Sequence, residues 1–343
     1  MPLRRLSLAA AVLLTGTLTA QATLPSDVEQ YLLGVAGFSK ADVSALQAGT
    51  VIARVAPGRS ETEVMVVAAV KVRATREQTL AYYGQMIAYV DGTVTTGFGR
   101  FSNPPALSDV RQLSLDADDL AHLQSCQPGD CDLRIGGAAL SAVRAGVDWR
   151  APDAATQVNA RVREAIVRYV TAYMKSGDEA LVTYTDRDQP VSLRQQWQEI
   201  LAASPYLQQY SAPLREYLTQ YPRRPLPGAK DVLYWVQDDY AGLKPVLSLV
   251  HAVIYEDPAR PERTVIAQKQ LYASHYYDGS LAVAMAVSTT EGATPVTWLV
   301  YANRSRGDLL KGGFGGLRRT VARNQAESAA KQTLSTIKRV LEK

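Results

Sequence analysis

The chain has 343 residues, 47% of them hydrophobic, with 37 basic against 33 acidic side chains. This near-balance, with no basic stripe interleaved with aromatics, predicts no nucleic-acid affinity. The apolar content suffices for a sizeable core in one large or two moderate domains.

The first residues carry Arg4 and Arg5, then an apolar run from Leu6 to Leu18, then Ala20-Gln21-Ala22. A positive start, a short apolar stretch and a small-x-small site form the three-part pattern of a cleaved secretory signal. The run is too short for a membrane anchor, which needs about 20 apolar residues. The expected mature chain begins at Thr23, works in the periplasm or outside the cell, and keeps a formal charge of +2 once Arg4 and Arg5 are gone.

Two short helices follow, one starting at Pro25-Ser26-Asp27 and one capped by Ser39. Thr50 to Ala56 and Glu61 to Ala74 read as a β-hairpin across Pro57-Gly58-Arg59-Ser60. Thr75 caps a helix with its apolar face through Leu80, Tyr83, Ile87 and Val90, closed by Gly92. Phe98 to Ser108 reads as a loop and Val110 to Leu115 as a short strand.

Helical patterns then dominate to about Pro227. The longest, Thr156 to Met174, places Val158, Val162, Ile166, Tyr169, Val170 and Tyr173 on one stripe. Helices over Ser192–Ala202 and Pro213–Tyr221 continue the pattern. Within this segment Cys126-Gln-Pro-Gly-Asp-Cys131 spans a Pro-Gly turn, which in an oxidising compartment points to a local disulfide between Cys126 and Cys131. Zinc is the rival, but it wants about four ligands and only His122 lies near.

The last third is β-rich. Strands are expected at Val232–Gln237, Val246–Tyr255, Thr264–Tyr277, Ser280–Ser288 and Val296–Asn303, with Asp278-Gly279 as a two-residue hairpin turn. A final helix runs from about Phe314 to Leu341. The division is then a signal over 1–22, N-terminal helices, hairpin and helix over 23–104, a mainly helical insertion over 105–228, and a meander with its terminal helix over 229–343. The class is α+β: an antiparallel sheet, hairpin and meander together, wrapped around a long C-terminal helix.

The passage Tyr301-Ala-Asn-Arg-Ser-Arg-Gly-Asp308, then Gly312-Gly-Phe-Gly-Gly316 before the last helix, resembles the end of helix-grip domains of the lipid-transfer START type. That resemblance implies a cavity between sheet and helix and an apolar ligand in it. The cysteine turn together with Gln270-Leu-Tyr-Ala-Ser-His-Tyr-Tyr277 is similar to a family of exported bacterial proteins, a likeness that implies no activity.

No cofactor motif is present, and catalytic signals are weak. Strict alternation over Thr264–Tyr277 puts Gln268, Gln270, Tyr272, Ser274 and Tyr276 on one face, which either lines a cavity or meets water. His251 falls among apolar residues on a neighbouring strand and reads as a hydrogen-bonded core residue or a ligand contact. His251 and His275, with Glu256 or Asp278, are candidates for a general-base pair, but no His-x-x-x-His or His-x-His spacing supports a metal. There is no Gly-x-Ser-x-Gly elbow, and Ser274-His275 are adjacent on a strand, so they point apart. Gly312–Gly316 lacks the spacing of a phosphate loop and reads as a hinge. Arg304 and Arg306 are either headgroup contacts or surface arginines, and Asp116-Ala-Asp-Asp119 is an N-cap with dipole charges.

The expected function is an exported, non-enzymatic module that binds a lipid or other largely apolar small molecule. Its ligand residues are expected to be Gln270, Tyr272 and Ser274, with His251 and Tyr301 nearby. The alternatives are an enzyme on the same scaffold using His251 or His275 with Tyr272, and an envelope assembly protein that meets its partner through the helical insertion.

Overall fold

The computed structural model describes residues 22–87, 94–239, 242–307, 310 and 315–343. The leader expectation, the proposed start of the mature chain apart, and most of the Gly312–Gly316 segment lie outside these residues. Helices α1 (Ser26–Gly34) and α2 (Lys40–Gln47) come first. Ser39 caps α2: its hydroxyl accepts from the Asp42 N–H, and the Asp42 carboxylate receives the Ser39 N–H. Strands β1 (Ile52–Ala56) and β2 (Glu63–Val72) form the expected hairpin, followed by α3 (Arg76–Ile87).

β3 (Thr95–Arg100) is an edge strand whose second half, from Phe98, falls where a loop was expected. Its sequence, Thr-Thr-Gly-Phe-Gly-Arg, carries two glycines and reads poorly as a strand. They are required by packing, because a Cβ at Gly97 or Gly99 would run into the Trp235 indole. Over the expected strand at Val110–Leu115, Val110 instead ends a tight helical turn, Arg111 and Gln112 form a turn, and Leu113–Leu115 have no regular structure.

The helical segment comprises α4 (Ala117–Ser125), α5 (Gly137–Arg144), α6 (Ala154–Ser176), α7 (Leu193–Ala202), α8 (Pro205–Tyr210) and α9 (Ala212–Gln220), with a two-stranded ribbon, β4 (Thr183–Tyr184) and β5 (Val191–Ser192). Cys126 and Cys131 are joined as a disulfide just after α4. The chain then runs through β6 (Ala229–Asp238), β7 (Val246–Glu256), β8 (Arg263–Ala273), β9 (Tyr277–Glu291), β10 (Thr294–Gly307) and α10 (Gly315–Leu341).

One eight-stranded antiparallel sheet unites hairpin and meander in the order β1-β2-β10-β9-β8-β7-β6-β3. The protein is therefore α+β, with helices on both faces. On one face α1, α2 and the helices from α4 to α9 form a thick layer. The α6 stripe of Val158, Val162, Ile166, Val170 and Tyr173 is buried there. On the other face α10 lies against β1 and β2, and α3 against β9, β10 and α10. Residues of alternate parity serve the two layers: Met65, Val67 and Ala69 join the first core, Val66, Ala68, Val70 and Val72 the second. This double cover explains why β2 is buried at every one of its ten positions and reads as a continuous apolar run from Val64 to Val70. Ile52, Val64, Val66, Val283 and Val300 are all buried, as a shared sheet requires.

The Asp278-Gly279 turn is a correction. Both residues lie inside β9, with Gly279 opposite Arg306, and the connection is Ser274–Tyr276, where Tyr276 takes a φ of 63°. Gly279 is small for a packing reason: its missing Cβ faces the methyls of Ile200 and Leu193 on α7, at 3.2 and 3.4 Å. Asp278 binds the buried Arg134 at 2.6 Å.

Candidate functional site

A cavity of about 750 Å³ lies between the sheet and the helices α3 and α10. Helix α10 creates it through side-chain size. In its second half Leu334 and Ile337 are fully buried against the sheet. Earlier in the helix Ala322, Ala326 and Ala329 face the sheet with a methyl each and leave the space open. Tyr83 and Met86 of α3 close one side. Pockets of this size hold small organic molecules, and their few polar groups fix orientation.

The sheet floor carries those polar groups in two neighbouring cross-strand rows. Asn303 pairs with Ala282, which pairs with Gln268; Ser305 pairs with Ser280 in the next row. Ser280 and Ser305 share a 2.9 Å hydrogen bond, Asn303 Nδ2 donates to Ser280 at 3.2 Å, and Ser305 donates to Asn303 Oδ1 at 2.6 Å. Between β8 and β7, Gln270 donates its amide to Ser248 at 3.1 Å. Five tyrosines, Tyr83, Tyr234, Tyr276, Tyr277 and Tyr301, complete the walls. Burial pushes the Tyr301 phenol up to about 12, and raises Tyr83, Tyr234 and Tyr277 as well, so all four are neutral hydrogen-bonding groups at pH 7.

Of the five residues expected at a ligand site, Gln270 and Tyr301 line this cavity. Tyr272, Ser274 and His251 do not, and the expectation for them is corrected. The cause is a bulge in β8. Leu249 sits opposite Tyr272 and Val250 opposite Gln270, so Leu271 is the extra residue and the alternation slips by one. Tyr272 therefore turns to the helical layer, where its hydroxyl donates to the Arg134 carbonyl at 2.8 Å. Ser274 ends buried, its hydroxyl accepting from the Leu247 N–H at 2.9 Å. The carbonyls exposed by the bulge are taken by that layer: Trp197 Nε1 donates to Gln270 at 3.0 Å and the Tyr169 hydroxyl to Leu271 at 2.6 Å.

His251 is fully buried on the helical side. Its Nε2 meets Asp231 Oδ1 at 2.8 Å and its Nδ1 the Tyr173 hydroxyl at 2.9 Å. A neutral imidazole satisfies both contacts, donating from Nε2 and accepting at Nδ1. Burial lowers the His251 pKa against the opposing pull of Asp231. His275, on the same side, faces both Asp119 oxygens at 3.0 Å. Asp119 follows its Asp116 N-cap at the start of α4, where burial raises its pKa. Neither histidine lines the cavity, and Tyr272 is absent from it too.

Arg304 and Arg306 also face the helical layer. Arg304 pairs with the buried Glu63, and Arg306 reaches Glu63 at 3.4 Å and also Glu199. They are structural cations, not headgroup contacts. Among the described residues no group of three or more side chains is placed to hold a metal ion, and no helix is long and apolar enough to cross a membrane.

The sequence signal that could have found Asn303, Ser305 and Ser280 was the polar alternation within β10 and at the start of β9.

No family model and no curated protein matches this chain. Among solved structures, the Mll3558 protein of Rhizobium loti is similar over 40% of this chain and 88% of its own, at 10% identity and a TM-score of 0.19. A likeness that low adds nothing to the fold described above.

Proposed function

We propose that the protein is an exported, soluble binding module that holds a lipid or other largely apolar small molecule between its sheet and α10. The observation that carries this reading is the cavity of about 750 Å³ left by the alanines of α10 over a floor with a polar belt. An apolar enclosure with a few convergent hydrogen-bonding groups is the usual form of a small-molecule site. Likeness to the START plan supports the same reading through the order of hairpin, meander and terminal helix. Export rests on the leader pattern at Arg4–Ala22 and agrees with the Cys126–Cys131 disulfide.

The enzyme alternative is disfavoured by position. Its acid–base candidates, His251 and His275, are committed to Asp231, Tyr173 and Asp119 on the opposite side of the sheet.

Solvent extraction of the purified protein followed by mass spectrometry tests the proposal, together with uptake of an apolar fluorescent probe by wild type and Ala326→Phe. A co-purified apolar molecule, or probe uptake that Ala326→Phe abolishes while the fold is kept, supports it. A protein with no extractable molecule and no probe uptake would refute it.

A further inference from the structure

We propose that Tyr276 grips the ligand of this cavity, and that the contact of His275 with Asp119, on the other side of the sheet, sets how tightly it does so. The inference rests on the binding reading above and adds the residue through which the helical layer reaches the ligand.

Tyr276 lines the cavity and takes a φ of 63°, the one positive value outside glycine among the described residues. The Tyr277 N–H donates to the His275 carbonyl at 2.7 Å, closing a three-residue turn around Tyr276. A γ-turn centred on a positive φ is the rare and strained form. A bulky side chain holds that backbone only where its surroundings over-determine it, and such residues cluster at ligand clamps. Turns of this kind are ordinarily left to glycine or asparagine. Here a tyrosine stands instead, with its side chain in the cavity wall.

The contacts that hold the turn come from both sides of the sheet. On the cavity side the Tyr276 hydroxyl accepts the Lys244 N–H at 2.7 Å. Gly307 makes room for the Tyr276 carbonyl, which a Cβ at that position would strike. From the helical layer the Arg134 N–H donates to the Ser274 carbonyl at 2.8 Å. The buried His275 meets both Asp119 oxygens at 3.0 Å, and its ring centre lies 5.6 Å from that of Tyr276. Lys244 is held in turn, its ammonium binding Asp132 at 2.8 Å. Asp132 follows Cys131, and Cys126 caps the end of α4, the helix that carries Asp119. Both acids that steady the turn therefore flank the disulfide.

His275 and Tyr276 are consecutive, so the two layers meet at a single peptide bond. Without Asp119 the turn loses a support, and Tyr276 relaxes toward ordinary backbone with its ring drawn off the cavity wall. A ligand that rests on the ring favours the strained turn, as Asp119 does, so the two stabilise one conformation and each strengthens the other. Asp119 is in this sense a positioning residue.

The test is a double-mutant cycle read by the affinity of a pyrene-labelled alkane, over wild type, Asp119→Ala, Tyr276→Gly and the double variant, each shown to be folded by circular dichroism. Glycine takes a positive φ without strain, so Tyr276→Gly removes the ring and keeps the turn. Each single variant is expected to weaken the probe about five- to tenfold, and the double variant to bind no more weakly than Tyr276→Gly alone, because residues acting through one contact do not add. Should Asp119→Ala not fold, the paired Asp119→Leu/His275→Leu variant takes its place under the same criteria, since it leaves neither member of the pair buried without its partner. Additive losses, or wild-type affinity in either single variant, overturn the inference and leave the binding reading intact. A wild-type protein that takes up no probe overturns the binding reading itself.

Discussion

The indole N–H of Trp197 donates to the backbone carbonyl of Gln270, 3.0 Å away, at the bulge where β8 changes the face its side chains take. The contact couples the two sides of the sheet. Trp197 on α7 is wholly buried in the helical layer, and the side chain of the residue it holds lies in the cavity. Trp197→Phe keeps most of the packing and leaves that carbonyl buried without its donor, which costs about 1–3 kcal/mol. A lower urea midpoint is expected. An unchanged midpoint would show that the carbonyl finds water or another donor.

Lys269 and Asp178 predict an asymmetric pair of effects. Lys269 is fully buried, ion-paired with Asp178 and lying 4.7 Å from the Trp197 ring centre, while the Asp178 side chain keeps some contact with solvent. Burial lowers the Lys269 pKa, and Asp178 opposes that shift. Asp178→Asn strands a buried ammonium and is expected to cost about 3–5 kcal/mol. Lys269→Met leaves a carboxylate that water can reach, and is expected to cost less. Denaturation curves of the two variants decide it; equal losses would reject this account.

The state of His251 predicts a pH dependence. Its pKa is lowered in the fold by burial, chiefly, with Asp231 and Asp178 pulling the other way and Lys269 reinforcing the shift. In the unfolded chain a histidine takes up a proton below about 6.5. Between that pH and the lower folded value, the unfolded state binds more protons, so stability falls as pH drops. Asp231 has its pKa lowered, so its own contribution is lost only in the carboxylate range near 4 and below. The melting temperature is expected to decline from pH 7 to pH 5, and His251→Gln to flatten that decline. A variant with the wild-type slope would remove His251 as its source.

The cysteine bridge closes a short loop, with a sequence separation of 5. On the chain-entropy account it should contribute less than the roughly 3 kcal/mol of a 15-residue loop. Intact mass of the exported protein should show no free thiol, and a start at Thr23 if the leader is cut after Ala22. The Cys126→Ser/Cys131→Ser double variant should remain folded with a modest loss of stability. Failure to fold would assign the turn a larger role, in docking α4 and with it Asp119.

Leu334 borders the cavity and is fully buried. Leu334→Ala is expected to cost about 2–5 kcal/mol and to lengthen the cavity toward Ile337. A longer-chain probe should then gain affinity relative to a shorter one. Equal affinities would show that the helix collapses into the space.

Much of this architecture is legible in the linear chain because periodicity survives wherever a single neighbour decides a residue's face. The α6 stripe and the capping box at Ser39 are such cases. The failures fall where two layers compete for one strand. Nothing in Gln270-Leu271-Tyr272 announces that Leu271 is an extra residue, because the bulge is stabilised from outside by Trp197 and Tyr169. Asp278-Gly279 carries turn chemistry but serves Arg134 and the α7 contact instead. Gly97 and Gly99 hide a strand because the residue that requires them, Trp235, is far away in sequence. The cavity was foreseeable as a class of feature. Its walls were not, since the slip at Leu271 exchanges Tyr272 for none of its neighbours on the cavity side and leaves Asn303 and Ser305 of β10 to supply the belt.

The place of β2 in the sheet bears on how the chain can be made. Its partners are β1, immediately before it, and β10, where Val72 meets Thr297 and Glu63 meets Arg306. During N-to-C synthesis the hairpin exists long before its second neighbour, and for that interval β2 presents the apolar run Val64–Val70 on both faces with one hydrogen-bonding edge open. The nascent hairpin is therefore a sticky template through most of translation, and contacts this distant in sequence make closure slow. Holding the chain unfolded until its final strand has emerged is a requirement that the position of β10 imposes on whatever handles the chain.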